Sequence, residues 1–357
     1  MKKILFFLSV AAALTVSCAR EAESDESMFE AESLAAYMRK YHPDAVRTSL
    51  GVYIFPDSEV PGTGAEIADE SYIRVHYTLT DRDGRFRSST VDTVNISNGN
   101  YSSCNYYGPV VLYRGDDYLS AGIEEMLSGA GTAFGPMKTG GTRKALIPGW
   151  LNGTKRYGSE EEYIKNVSGT VSVYEMSLVE TFDDVVVWEK DSLARYIEAN
   201  YPEAEEDTLI GKISTAGYEK YEGGWYYVST RPGVDTTLLS SSSVIYCNYI
   251  LRDLSGRVID SNIEKVARDN DFYNSSSTYK ACLINWDSDY TKITMTTSET
   301  DVVDGFANAF LHMHQYEAGT VFFWSYLGYF AQGSGSRVPA YCPLRFDIEL
   351  VSNPDDV

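Results

Sequence analysis

Internal duplication restricts the fold of this chain more than any other feature of its sequence. Glu32-Ser33-Leu34-Ala35-Ala36-Tyr37-Met38 returns as Asp191-Ser192-Leu193-Ala194-Arg195-Tyr196-Ile197, at an offset of 159. A second set follows in order: Tyr77 with Tyr249, Gly84 with Gly256, Arg85 with Arg257, and Tyr174 with Phe346, all at 172 (249 − 77 = 172). An ordered set at a fixed spacing marks a repeated structural unit. The two copies therefore have equal length between their first core strand and their closing strand. The second carries 13 extra residues (172 − 159) between its helix and that first strand.

Each copy opens with a helix and continues mainly as strands. Leu34, Tyr37, Met38 and Tyr41 fall at i, i+3, i+4 and i+7, one face of an amphipathic helix. Ser33 and Ser192 are candidate caps at its start, and Pro43 and Pro202 stop it. Tyr72–Leu79 and Val244–Leu251 alternate as strands do, and the turn dipeptides Asp83-Gly84 and Ser255-Gly256 lead into a second strand. Further strands are expected at 143–147 and 320–324, and closing strands at 171–179 and 344–351. Short helices are expected near Ser120–Leu127 and Val303–His312. The order fits an α+β fold in which a twisted antiparallel sheet wraps a short helix.

The N-terminus carries a different message. Lys2 and Lys3 precede an apolar run from Ile4 to Val16, too short for a permanent membrane span and typical of an export signal. Thr15-Val16-Ser17-Cys18 resembles the lipobox of bacterial lipoproteins, which implies acylation of Cys18 and a lipid anchor at the cell envelope, on the periplasmic or the outer surface. Residues 1–18 are then a signal, 19–31 an acidic tether, 32–182 the first domain and 188–352 the second. With a net charge of −21, nucleic acid and anionic lipid headgroups are excluded as partners. The export route permits disulfides. Cys104, Cys247, Cys282 and Cys342 match no metal spacing and read as buried thiols; a single bridge would pair two of the last three.

With these elements placed, the second copy resembles the FKBP-type peptidyl-prolyl isomerases. Asn248-Tyr249 stands where that family writes His-Tyr, and Gly256-Arg257-Val258-Ile259-Asp260-Ser261 is similar to its Gly-x-x-Phe-Asp-Ser. Val302-Val303-Asp304-Gly305-Phe306 resembles Val-Ile-x-Gly-Trp, with Phe306 for the tryptophan. Met313, Gly319, Tyr326-Leu327-Gly328-Tyr329, Val338-Pro339 and Leu344-Arg345-Phe346-Asp347-Ile348-Glu349-Leu350 follow in family order. The first copy is more worn. Val75-His76-Tyr77-Thr78 matches, but Arg87 or Ser88 stands for the aspartate and Ile123 for the tryptophan. Met137, Gly140, Leu146-Ile147-Pro148 and Tyr157-Gly158 complete it. Insertions near Thr93–Asp117 and Lys265–Thr300 would cover or reshape the pocket.

The resemblance implies that Tyr249, Phe306, Tyr329 and Phe346 wall a prolyl pocket, with Ile259, Val302 and Val303 filling in. It also implies that Asp260 holds the rim and that the Val303 N–H orients the peptide. X-Pro rotation faces a barrier of about 20 kcal/mol arising from amide resonance. A dry aromatic pocket lowers it without nucleophile, metal or other cofactor. The expected partner is a proline-containing segment of an exported protein; the alternative is a non-catalytic, peptide-binding surface lipoprotein. His312 and His314, at i and i+2, would not share a helical face, which argues against a metal site.

Overall fold

The computed structural model describes residues 28–115, 118–211, 219–234, 236–295 and 302–354. Cys18 and most of the expected tether lie outside them; residues 28–31, at its end, are helical. Two compact units emerge. Residues through Asn100 together with Tyr107–Asp183 form the first, and Tyr101–Tyr106 with the chain from Asp184 onward form the second. Among the described residues, no helix is long and apolar enough to cross a membrane.

The first unit begins with α1 (28–41), from which Leu34 and Met38 enter the core. Its other elements are β1 (Val46–Arg47), β2 (Tyr53–Ile54), β3 (Ser71–Asp81), β4 (Phe86–Ser89), α2 (Asp92–Ser97), β5 (Val110–Arg114), α3 (Ala121–Ser128), β6 (Thr142–Ile147), α4 (Glu160–Asn166) and β7 (Ser172–Phe182). The strands form one antiparallel sheet in the order β1-β2-β6-β7-β3-β4, with β5 also on β3. Tyr41 completes the helical periodicity but is exposed, because α1 ends on it before Pro43.

The second unit repeats this plan with α5 (Val185–Asn200), β8 (Glu205–Glu206), β9 (Trp225–Arg231), β10 (Ile245–Asp253), β11 (Val258–Ser261), α6 (Glu264–Asp269), β12 (Cys282–Asn285), β13 (Thr294–Met295), α7 (Asp304–Ala307), α8 (Ala309–His312), β14 (Ala318–Phe323) and β15 (Leu344–Val351). Its sheet runs β13-β12-β10-β15-β14-β9-β8, with β11 on β10. Strand β15 alternates strictly, burying Leu344, Phe346, Ile348 and Leu350. Both units are α+β, as the pattern of elements implies.

Two expectations need correction. The serines do not cap: α5 starts at Val185, where the Asp184 carboxylate accepts from the Val186 and Val187 amides, leaving Ser192 inside the helix. Ser33 is likewise internal to α1. The single helix expected over Val303–His312 is two short ones, broken at Asn308. The insertions expected near Thr93–Asp117 and Lys265–Thr300 each supply a strand, β5 on β3 and β12 on β10.

The equal length between Tyr77–Tyr174 and Tyr249–Phe346 also conceals compensating differences. Ala145 faces Tyr174 as Val321 faces Phe346, so β6 and β14 differ by 176, not 172 (321 − 145). A glycine on each central helix fixes another register. A Cβ on Gly122 would come within 2.2 Å of Ile147, and one on Gly305 within 2.3 Å of Phe323. Only the hydrogen of glycine lets α3 and α7 seat this closely on β6 and β14. That match sets Ile123 opposite Phe306 and makes the helix offset 183 (305 − 122). Extra residues before α7 are balanced by extra residues after α3 and in the loop that carries α4.

Candidate functional site

The site of the second unit is assembled by three neighbouring strands and one short helix. Strand β10 presents Tyr249, β11 presents Asp260, β15 presents Phe346 and α7 presents Phe306. Leu251 pairs with Asp260, followed by a bulge between Leu251 and Arg252. The first unit keeps the same register and bulge, Leu79 facing Ser88. Bulges re-aim side chains, and here the Tyr249 hydroxyl donates to Asp260 Oδ2 at 2.8 Å.

Below that pair the rings close into a floor. Ring centroids lie 4.7 Å apart for Phe306 and Phe346, 5.8 Å for Tyr249 and Phe306, and 5.9 Å for Tyr249 and Phe346. Phe306 and Phe346 are buried, whereas Tyr249, Asp260 and Tyr329 are half-buried. Phe310 and Phe323 support the floor from behind, at 5.1 Å from Phe306 and 5.9 Å from Phe346. The Trp225 indole N–H donates to the Gly305 carbonyl at 2.7 Å and so fixes α7 in depth. Val303 is the residue preceding that helix, and its carbonyl accepts from the Phe306 and Ala307 amides. Ile259 is buried and Val302 half-buried.

Burial and a neighbouring charge keep the two tyrosine hydroxyls protonated. Burial, and then the Asp260 charge, pushes the Tyr249 hydroxyl well above the ordinary phenol value, so it remains a donor. Tyr329 is raised by the same two causes in the same order. The sequence-derived set of Tyr249, Asp260, Phe306 and Phe346 is thus brought together by direct contacts. Tyr329 is linked to that set only through the charge of Asp260, which acts on its hydroxyl.

Sequence reasoning missed two residues here. The Asn262 side chain accepts from the Tyr249 amide at 2.8 Å and donates to the Cys247 carbonyl at 2.9 Å, so it sets the height of the tyrosine. Arg337 donates to the Ile259 carbonyl at 3.3 Å and lies over the Phe272 ring, a partnership spanning 78 residues that no local pattern shows. The segment Tyr101–Tyr106 packs in this unit too. The Tyr106 amide donates to the Ser336 carbonyl at 2.8 Å, and Arg257 to the Cys104 carbonyl at 3.1 Å.

The matched place in the first unit is plainer. Tyr77 and Tyr174 lie 6.1 Å apart, Ser88 replaces the aspartate, and half-buried Ile123 replaces the floor phenylalanine. Arg87 turns outward to Asp81 at 3.2 Å. Burial, with Tyr77 nearby, raises the Tyr174 hydroxyl.

The histidines are placed differently from expectation. His312 ends α8 and His314 lies beyond it, so a helical-face argument does not apply to the pair. Each meets its own carboxylate, His312 with Asp207 at 3.3 Å and His314 with Glu317 at 2.8 Å. Among the described residues, no group of three or more potential ligands is arranged to hold a metal ion.

No family model and no curated protein matches the sequence. Solved structures do. A peptidyl-prolyl cis-trans isomerase from Pseudomonas syringae pathovar tomato is 15% identical, covering 48% of this chain and 97% of its own, with a TM-score of 0.30. The three FKBP domains of wheat FKBP73 are 13% identical over 84% of this chain and 94% of theirs, at 0.26. FkpA from Escherichia coli is 16% identical over 50% of this chain and 70% of its own, at 0.29. Structures of FKBP type are thus among those similar to this chain.

Proposed function

We propose that the second unit is a peptidyl-prolyl cis-trans isomerase acting on X-Pro bonds of exported proteins. The observation that carries the reading is the Tyr249–Asp260 hydrogen bond set above the Phe306–Phe346 floor. A proline ring packed on those aromatics leaves its imide away from bulk water. Resonance in that imide separates charge, and a dry surround disfavours the planar form more than the twisted one. No proton has to move: the Tyr249 hydroxyl keeps its single proton directed at Asp260, and the Tyr329 hydroxyl, held protonated by burial, serves as a donor to a peptide carbonyl. The uncatalysed reaction takes tens to hundreds of seconds, slow enough to limit folding of a client chain.

The test is a protease-coupled prolyl-peptide assay on the whole chain. Activity should fall at least tenfold in Tyr249→Ala and remain in Tyr77→Ala. Equal rates for the parent and Tyr249→Ala would remove the catalytic reading.

For the first unit we infer peptide binding without turnover, because Ser88 and Ile123 replace the two groups the mechanism uses. We further propose that Cys18 carries a lipid and holds the chain at the bacterial envelope. Growth with a radiolabelled fatty acid should label the parent chain and leave Cys18→Ser unlabelled.

A further inference from the structure

Two cysteines of the second unit face each other across neighbouring strands. Cys247 on β10 and Cys282 on β12 are direct partners in an antiparallel ladder. Both are buried, and such partners place their side chains on one face with Cβ atoms about 4.5–5.5 Å apart. Disulfides join Cβ atoms about 3.5–4.5 Å apart, so a small approach of the strands suffices. The Asn262 amide lies between them, donating to the Cys247 carbonyl at 2.9 Å and to the Cys282 sulfur at 3.3 Å. At the matched positions of the first unit stand Val75 and Val110, also direct partners on β3 and β5. Both offsets are 172 (247 − 75 and 282 − 110), so one ladder position carries two thiols in one copy and two isopropyl groups in the other.

We propose that Cys247 and Cys282 form a disulfide when the chain folds in an oxidising compartment, stapling β12 to β10. One thiolate attacks a disulfide oxidant of the glutathione class, releasing one thiol and leaving a mixed disulfide. The second thiolate then displaces the remaining oxidant sulfur. Two protons and two electrons leave the cysteines, and the oxidant is reduced to two thiols. Exchange needs the thiolate. In the folded chain, burial, with Cys282 close by, pushes the Cys247 thiol up. The bond therefore forms while the strands assemble, and the finished unit protects it. It closes a ring around the stretch that contains Asp260 and Asn262, whichever function the site has.

The experiment is refolding of the reduced whole chain in a glutathione redox buffer. Thiols of the compact fraction are then alkylated, and the chain is digested without reduction. Mass spectrometry should find a Cys247–Cys282 linked peptide, with Cys104 and Cys342 alkylated. The melting temperature of the second unit should rise by about 5–10 °C over the reduced chain. The double variant Cys247→Val with Cys282→Val, which copies the first unit, should melt alike in both buffers. Alkylation of both Cys247 and Cys282 in the compact oxidised fraction would overturn the proposal. So would a linkage to another cysteine, or a melting difference that persists in the double variant.

Discussion

The two units share a ladder and differ in what stands on it. Thr90 Oγ1 accepts from the Tyr77 amide at 2.8 Å, and Asn262 accepts from the Tyr249 amide at the same distance. The bulged hairpin, the closely seated glycine helix and the tyrosine are common to both. The acid and the floor ring are not. A scaffold of this kind holds position through backbone register, so side chains at the site can change while the frame persists. A second contrast lies on the opening helix. Glu189 of α5 is buried against Ser325, whose amide and hydroxyl both donate to it, at 2.6 and 2.7 Å. At the helix offset of 159 its counterpart is exposed Glu30, and at the β14 offset of 176 the serine becomes Gly149.

The largest expected difference concerns the floor. Phe306→Ala should cost the second unit about 3–5 kcal/mol, whereas Ile123→Ala, half-buried, should cost the first about 1–2 kcal/mol. Hydrogen exchange on peptides from each unit is the measurement, since a two-unit chain does not yield one unfolding free energy. Equal costs would mean that Phe306 is not the keystone of its unit.

Next in size is a pH effect confined to the second unit. Burial raises the Glu189 carboxyl from 4.5 to about 7. A pKa raised in the folded state contributes stability that is complete below the unfolded value and is lost as pH climbs through the folded one. The second unit should therefore weaken by about 3 kcal/mol between pH 4.5 and pH 7 relative to Glu189→Gln. A flat difference between parent and Glu189→Gln across that window would show the carboxylate to be solvated after all.

Which of these contrasts the sequence exposes depends on their range. Strand periodicity and the Asp-Gly and Ser-Gly turns are local, so β3, β10, β15 and both hairpins are legible. So is the meeting of Tyr249, Asp260, Phe306 and Phe346, because motif order carries it. The start of α5 is not legible, since Val185-Val186-Val187-Trp188 has the β-branched look of a strand and only tertiary burial makes it helical. Strand β12 is four residues long and owes its place to pairing with β10 and β13. Asn262 and Arg337 act through partners remote in sequence, and a single residue type carries no record of such a partner.

The aspartate offers a smaller, kinetic test. Asp260→Asn keeps shape but replaces a charged acceptor with a neutral one, and should slow isomerisation about tenfold. Ser88→Asp in the first unit should create no activity, because Ile123 still leaves the floor without a ring. A gain of turnover there would mean that the acid alone separates the two units, and that the aromatic floor matters less than proposed.

The smallest expected difference is zero, and it probes what the units share. Gly84 and Gly256 have φ of +79° and +90°, and an added Cβ would meet nothing within 4 Å at either. Both amides donate to an aspartate carbonyl at 3.0 Å, of Asp81 and Asp253. The same aspartates accept through Oδ1 from the amides of Asp83 and Arg85, and of Ser255 and Arg257. Alanine at either position meets only the left-handed backbone strain of an L residue, about 1–2 kcal/mol. Hydrogen exchange of the two hairpins should therefore report the same loss. If Gly256→Ala cost clearly more, the second hairpin would be carrying strain for its aspartate, and the frame would no longer be common to both units.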